Sequence, residues 1–286
     1  MGAEVERLST AYRGEERARA ARTRTEVAAY LAYRAPATFA AAAAVFRQVE
    51  AQRPDWKPRS LLDVGAGPGV AAWAAVETWP SLTELTLIDV EPEMIEAGRA
   101  LLPQGRWLRG DLSIAAGHAD LAVASYVLGE LDDVVGAATR LWKQAADIVA
   151  FIEPGTPAGY RRVLAARAAV IESGGTTVAP CPHDLPCPLP ADDWCHFAVR
   201  LPRSKLHRRA KGVELGYEDE KFSYAVLSRE PVTPASARII RQPQLRSGHV
   251  RLVTSERDGV VRSRTVAKSE GAVYKAARKA AWGDPL

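Results

Sequence analysis

The sequence predicts an α/β fold built on a mostly parallel sheet, with antiparallel final strands, helices ahead of the sheet and a cysteine-containing loop inserted near its end. Three observations carry this expectation. Short runs of leucine and β-branched residues alternate with amphipathic stretches across residues 60–172; the glycine loop Gly65-Ala66-Gly67-Pro68-Gly69 closes the first run; and Asp89 ends the second. Parallel strands need crossover connections long enough to be helices, so strict alternation specifies a parallel sheet covered on both faces.

Residues 1–50 read as helical. They are rich in Ala, Arg and Glu, with apolar residues at helical spacing at Val27, Tyr30 and Leu31 and again from Phe39 to Phe46. Pro54 and Pro58 end that pattern. The alternation then runs strand 60–64, helix 70–79, strand 85–89, helix 93–102 and a short strand near Trp107. It continues with strand 120–125, helix 134–145, strand 148–153 and helix 159–172. Across 174–202, rich in Gly, Pro, Asp and Cys, neither period survives. Strand-like text returns at 222–228, 238–240 and 249–254, spaced for the antiparallel end of one mixed sheet. The expected organisation is a helical region at 1–55 and a sheet domain at 56–286, the latter carrying a cysteine-rich and basic insertion at 174–215.

With 286 residues, 47% of them hydrophobic, the chain can bury a large core, which excludes disordered and fibrous classes. Its longest largely apolar stretch, residues 35–46, falls short of the ~20 residues a membrane span requires, so no membrane partner is expected. Glu4, Glu6, Glu15 and Glu16 stand among the N-terminal arginines without an apolar run, which fits neither a secretory signal nor an acid-poor transit peptide. The expected location is the cytoplasm, and the expected state a monomer. A net charge of +4 is mild, but it is unevenly spread. Arg200, Arg203, Lys205, Arg208, Arg209 and Lys211 crowd one stretch, and Lys268, Lys275, Arg278 and Lys279 mark the tail. Such clusters suit phosphate, and they are equally the ordinary look of a solvated face.

Gly65, Gly67 and Gly69 follow directly on a buried strand and precede a helix, where a nucleoside ligand meets backbone. A Cβ there would block close approach and forbid the turn. Asp89, at the end of the next strand, is positioned to accept hydrogen bonds from two ribose hydroxyls. A dinucleotide loop would read G-x-G-x-x-G, and the sixth position here is Val70. The text from Asp63 to Gly69, D-V-G-A-G-P-G, resembles motif I of class I S-adenosylmethionine (SAM)-dependent methyltransferases, whose sheet is Rossmann-like. That resemblance implies SAM as cofactor, with Asp63 orienting the methionine ammonium and Gly65, Ala66, Gly67 and Gly69 forming the cradle. It further implies Val90 and Met94 at the adenine edge, Asp111 and Leu112 near the adenine amino group, and Ser125 and Tyr126 beside the methyl donor. No residue stands out as a catalytic base, and transfer from a sulfonium can proceed largely by in-line positioning.

The three cysteines, Cys181, Cys187 and Cys195, lie within fifteen residues of a loop stiffened by Pro182, Pro186, Pro188 and Pro190. Their gaps fit no C-x2-C zinc finger. An odd, clustered set argues for metal before disulfide, either iron–sulfur or zinc completed by His183 or His196; buried structural thiols are the plain alternative.

Around these cysteines the text Cys-Pro-His-Asp, Cys-Pro and Trp-Cys-His-Phe, followed by Lys205-Leu206-His207-Arg208-Arg209 and by residues 217–224, resembles the ribosomal small-subunit methyltransferase-like family of bacteria and mitochondria, the family that includes methyltransferase-like protein 17. Glu153-Pro154-Gly155-Thr156-Pro157, the glycine loop and the tail 274–279 extend the match over nearly the whole chain beyond the N-terminal helices. The resemblance implies a [4Fe-4S] cluster on four cysteines, of which Cys181, Cys187 and Cys195 match three. The fourth would fall where this chain has Thr254-Ser255. Completion by Ser255, by a histidine or by an exogenous ligand, zinc in place of iron, or loss of the metal all accommodate that departure.

The expected function is that of a SAM-binding methyltransferase-like protein acting on the small ribosomal subunit, with 16S-type rRNA held by the basic stretch. Phosphate contacts of that kind give affinity without naming a base. A catalytically inactive assembly factor that binds SAM and a metal cluster is the second reading, since a fold does not certify its chemistry. A small-molecule methyltransferase, its basic stretch merely solvated, is the third.

Overall fold

The computed structural model describes residues 23–115, 117–203, 205, 208 and 214–286. Among the described residues two helices come first, α1 (Arg24–Tyr33) and α2 (Ala35–Gln52). Thr23 starts α1 with a reciprocal cap: its Oγ1 accepts from the Glu26 amide while the Glu26 carboxylate accepts from the Thr23 amide. Buried Ala41, Ala42, Val45 and Phe46 of α2 face the alanines of α3 (Val70–Thr78). Small side chains on both helices let the backbones approach closely, so the alanine run is a packing surface for the sheet domain.

The sheet strands are β1 (Ser60–Val64), β2 (Glu84–Asp89), β3 (Arg106–Arg109), β4 (Ala119–Ser125) and β5 (Ala145–Pro154), connected through α3, α4 (Pro92–Leu101) and α5 (Val134–Gln144). After α6 (Pro157–Glu172) come β6 (Thr176–Ala179), β7 (Phe197–Pro202) and β8 (Tyr217–Ser228). The order is β3-β2-β1-β4-β5-β8-β6. The first five strands are parallel; β8 is antiparallel to β5, and its far edge is shared by β6 and β7. Fully buried Leu61, Leu87, Leu121 and Ile148 face α2 and α3, and Leu62, Ile88, Ala122, Val149 and Phe151 face α5 and α6. Two covered faces explain why the strands read as unbroken apolar runs.

Two expectations need correction. The runs at 238–240 and 249–254 do not end the main sheet. They belong to a separate antiparallel sheet of β9 (Ala237–Ile239), β10 (Gln244–Arg246), β11 (His249–Glu256) and β12 (Val261–Ala267), backed by α7 (Ala272–Ala277). They are excluded because the open edge of β8 is already filled. What fills it is the stretch 174–215, read as a loop, which contributes both β6 and β7. These strands are too short, and too interrupted by proline, to show a period. Arg238 fastens the second sheet to the rest: fully buried, it donates to the carbonyls of Pro180 and Gly283 at 2.8 Å each and to the side chain of Gln48 in α2. Among the described residues, no helix is long and apolar enough to cross a membrane.

Candidate cofactor pocket and cysteine cavity

The carboxyl ends of β1, β2 and β4 open into a pocket of about 480 Å³, within the range usual for small-molecule sites. Asp63, Gly65, Ala66 and Gly67 line it from β1 and its loop; Asp89, Val90 and Met94 from β2 and α4; Asp111 and Leu112 from the turn after β3; Ser125 and Tyr126 from the end of β4. Gly69 stands apart. It caps α3 with φ +79°, and a Cβ on it would press Leu87, Leu102 and Trp107 at 3.0 Å, so its work is packing. Gly67, by contrast, has φ +55° and no protein atom within 4 Å of where its Cβ would be.

The loop orients Asp89 directly. Oδ2 accepts from the Gly67 amide at 2.7 Å and Oδ1 from the Glu91 amide at 2.9 Å, and the carboxylate lines the pocket. Burial raises its pKa against those hydrogen bonds. Asp63 is buried more completely, at 1% exposure, and neither carboxylate oxygen has a hydrogen-bond partner. The Ala72 amide faces it without hydrogen-bond geometry, and burial pushes its pKa up to about 7. Ser125 Oγ is likewise buried and unpartnered. Unsatisfied groups of this kind are costly, and a ligand bearing a cation and a polar partner would satisfy them. The lining as a whole holds Asp63, Asp89, Asp111 and Glu130 against Arg140 alone, an excess of negative charge that favours a cationic ligand.

The roof of the pocket is not legible in the sequence. Tyr30 and Thr38, from α1 and α2, line the same pocket. Between them in sequence, Arg34 makes a bidentate pair with Glu220 of β8 at 3.0 and 3.1 Å. The Tyr126 hydroxyl donates to the same carboxylate at 2.9 Å, and Tyr126 is a non-glycine residue with φ +58°. The strained backbone is thus pinned at the hydroxyl end. Glu153, at the end of β5, does not line the pocket: its carboxylate accepts from the Leu128 amide at 3.0 Å and pairs with Arg162 at 3.3 Å.

A second, smaller cavity of about 40 Å³ lies behind β8. Cys181, Cys187, Cys195 and Ser255 all line it, with Tyr160 of α6 and Tyr224 of β8. Ser255 arrives on β11, from the second sheet, and its Oγ lies 3.4 Å from His183 Nε2. Arg167 folds the cysteine segment by donating to the carbonyls of His183 and Leu185, and Ser223 Oγ donates to the Cys195 carbonyl at 2.7 Å. Burial pushes the Cys181 and Cys195 thiols up, and Tyr160 Oη stands 2.9 Å from Cys187 Sγ. No cysteine is in a disulfide. Among the described residues, no group of three or more His, Cys, Asp or Glu side chains is drawn together as for a bound metal ion, so neither His183 nor His196 completes such a set.

Four of the six residues of the basic stretch are ion-paired or lie outside the described residues. Arg200 pairs with Asp219 at 2.7 Å and Arg203 with Glu218 at 3.2 Å across the β7–β8 hairpin. Lys205 is exposed and Arg208 half-buried, whereas Arg209 and Lys211 lie outside the described residues.

Sheet order, the glycine loop and the acid that ends β2 define a Rossmann-like α/β fold. The chain belongs to the family described as mitochondrial small ribosomal subunit Rsm22, whose model matches residues 24–286. It is 30% identical to the human "Ribosome assembly protein METTL17, mitochondrial", over 90% of this chain and 61% of that protein. It is 26% identical to the "Rsm22-cox11 tandem protein 2, mitochondrial" of Schizosaccharomyces pombe, over 92% of this chain and 43% of that protein. It therefore spans about half the length of these relatives. Among solved structures, magnesium protoporphyrin IX methyltransferase from Synechocystis PCC 6803 aligns with a TM-score of 0.43 and 13% identity, over 68% of this chain and 81% of that one.

The cytoplasmic expectation is overturned here, because both the family description and these relatives are mitochondrial. Acidic residues among the N-terminal arginines were a poor guide: Glu4, Glu6, Glu15 and Glu16 lie outside the described residues, and a targeting address is not a property of the fold.

Proposed function

We propose that this protein binds SAM at the glycine loop and works on the small ribosomal subunit as a methyltransferase-like factor. The observation that carries the reading is Asp63: a buried carboxylate with neither oxygen satisfied, in an acidic pocket at the end of β1. In this reading Asp63 holds the methionine ammonium, Asp89 the ribose hydroxyls and Asp111 the adenine amino group, with Val90 and Met94 against the adenine edge. Gly65, Ala66 and Gly67 let the cofactor meet the backbone, and Ser125 and Tyr126 flank the methyl donor. SAM supplies an electrophilic methyl group; the chain would bind it, exclude water with the Tyr30 and Thr38 roof, and position it.

Assembly work without methyl transfer is the second reading. It is favoured by the tie of Tyr126 to Glu220 and Arg34 at the donor end, and by the description of the human relative as a ribosome assembly protein. Labelled SAM incubated with the protein and small ribosomal subunits separates the two: label in rRNA supports transfer, whereas binding without transfer supports the assembly role. An absence of both sinks the SAM reading.

We propose further that the cysteine cavity takes a [4Fe-4S] cluster on Cys181, Cys187 and Cys195, with Ser255 as fourth ligand. Support comes from the convergence of these four side chains on one cavity, and a cluster, unlike zinc, spaces its ligands by its own atoms. Anaerobic purification with iron, sulfide and zinc analysis tests it; protein with neither iron nor visible absorption removes the claim.

A further inference from the structure

The second sheet has two unlike faces. Val250 and Leu252 of β11 and Val266 of β12 point inward with Ile239 onto Tyr274 and Ala277. The alternate positions form the outer face, where Gln244, Arg251 and Thr265 stand in register, as do Arg246 and His249 on the next rung. Arg251 Nε donates to Ser263 Oγ of β12 at 2.8 Å, along that same face. One end of this face, Ser255 and its partner Val261, closes the cysteine cavity. At the other end Gln244, Arg246, Arg251, Ser263 and Thr265 are exposed.

The charge on this face is uncompensated. No face position on β10, β11 or β12 carries Asp or Glu before the strand end at Glu256. Nearby carboxylates are engaged on the opposite side: Asp258 with Arg262 at 2.6 Å and Glu270 with Arg264 at 2.9 Å. Among the described residues, Arg246 and Arg251 make no ion pair; Arg246 donates only to the Leu245 carbonyl, at 3.4 Å. Lys268 continues the positive charge just past β12 and is exposed. The face is also free of Phe, Tyr and Trp. Single-stranded nucleic acid is usually held by stacking bases on aromatic rings, whereas double-helical RNA is held at its phosphates and 2′-hydroxyls by cations and small polar side chains.

We propose that the outer face of the second sheet grips the backbone of double-helical RNA through Arg246 and Arg251, with Ser263 and Thr265 as further hydrogen-bonding groups. This rests on the reading of the protein as a small-subunit factor, and moves the main RNA contact from the self-paired Arg200 and Arg203 to β10–β12. Because the same face closes the cysteine cavity, RNA would bind beside the ligand at Ser255.

The test is fluorescence anisotropy of the full chain with a labelled RNA hairpin of about 20 base pairs, across a salt series, for wild type, R246A/R251A and R262A/R264A. Both pairs of arginines are exposed, and circular dichroism confirms folding. The R246A/R251A variant is expected to bind about tenfold or more weakly and to lose about two from the slope of log K against log salt. R262A/R264A is expected to lose much less. Equal binding by wild type and R246A/R251A overturns this face and leaves the small-subunit reading standing. Tighter binding of an unstructured single strand than of the hairpin overturns the duplex assignment. Absence of RNA binding by wild type overturns both readings.

Discussion

Arg34 and Glu220, 186 residues apart, are joined by two parallel hydrogen bonds, and Tyr126 shares the same carboxylate. The pair ties the α1–α2 junction to β8 and so holds the roof over the pocket. Both side chains are nearly buried, at 11% and 13% exposure. Arg34→Met leaves a carboxylate without its cation and is expected to cost ~3–5 kcal/mol, whereas R34M/E220M recovers most of that loss. Urea denaturation checks it: a single variant as stable as wild type contradicts the role given to the pair.

Asp63→Asn separates stability from binding. Burial raises the folded-state pKa to about 7, above the unfolded value, so the folded protein favours the protonated acid. Stability is therefore lost as pH rises from about 4 toward 7 and stays low above it. The variant lacks this penalty: its apo melting temperature should match wild type near the unfolded pKa and exceed it at pH 8. Its affinity for SAM should fall. A variant less stable than wild type at pH 8 contradicts the view of Asp63 as an unsatisfied ligand group.

The glycines differ in what they protect. Gly67→Leu places a side chain in open pocket space at a left-handed residue, at a strain of ~1–2 kcal/mol, and should abolish SAM binding in a folded protein. Gly69→Val drives side-chain atoms into Leu87, Leu102 and Trp107 and should register first as lost stability. Thermal melts and SAM titration of the two variants read the contrast.

Ser255→Cys tests the cysteine cavity. It supplies a fourth thiolate where the side chain already lines the space, so iron and sulfide content should rise and persist longer in air than in wild type. Unchanged iron content with intact folding removes Ser255 from the ligand set.

Much of the pocket was legible because it is local. Asp63 and Asp89 sit at strand ends and Gly67 in the turn after the first strand, all within thirty residues. Their partners were not legible. Tyr30 and Thr38 reach the pocket only through tertiary packing of α1 and α2, and nothing in a helical period says which face meets a ligand. The arginines at 200 and 203 read as free charge, yet the β7–β8 pairing sets Asp219 opposite Arg200 and brings Glu218 within reach of Arg203. The second sheet reads in the sequence as part of the first, because strand text does not reveal which edge is already filled. Ser255 was placed beside the cysteines by resemblance alone; the register of β11 brings it to their cavity.

Isothermal titration of SAM into the purified protein tests the central claim most directly. The account expects saturable binding by wild type, affinity rising as pH is raised through 7 and Asp63 ionises, and loss of binding in Asp63→Asn and Gly67→Leu. Absence of binding by folded wild type, or equal affinity in all three proteins, would contradict it.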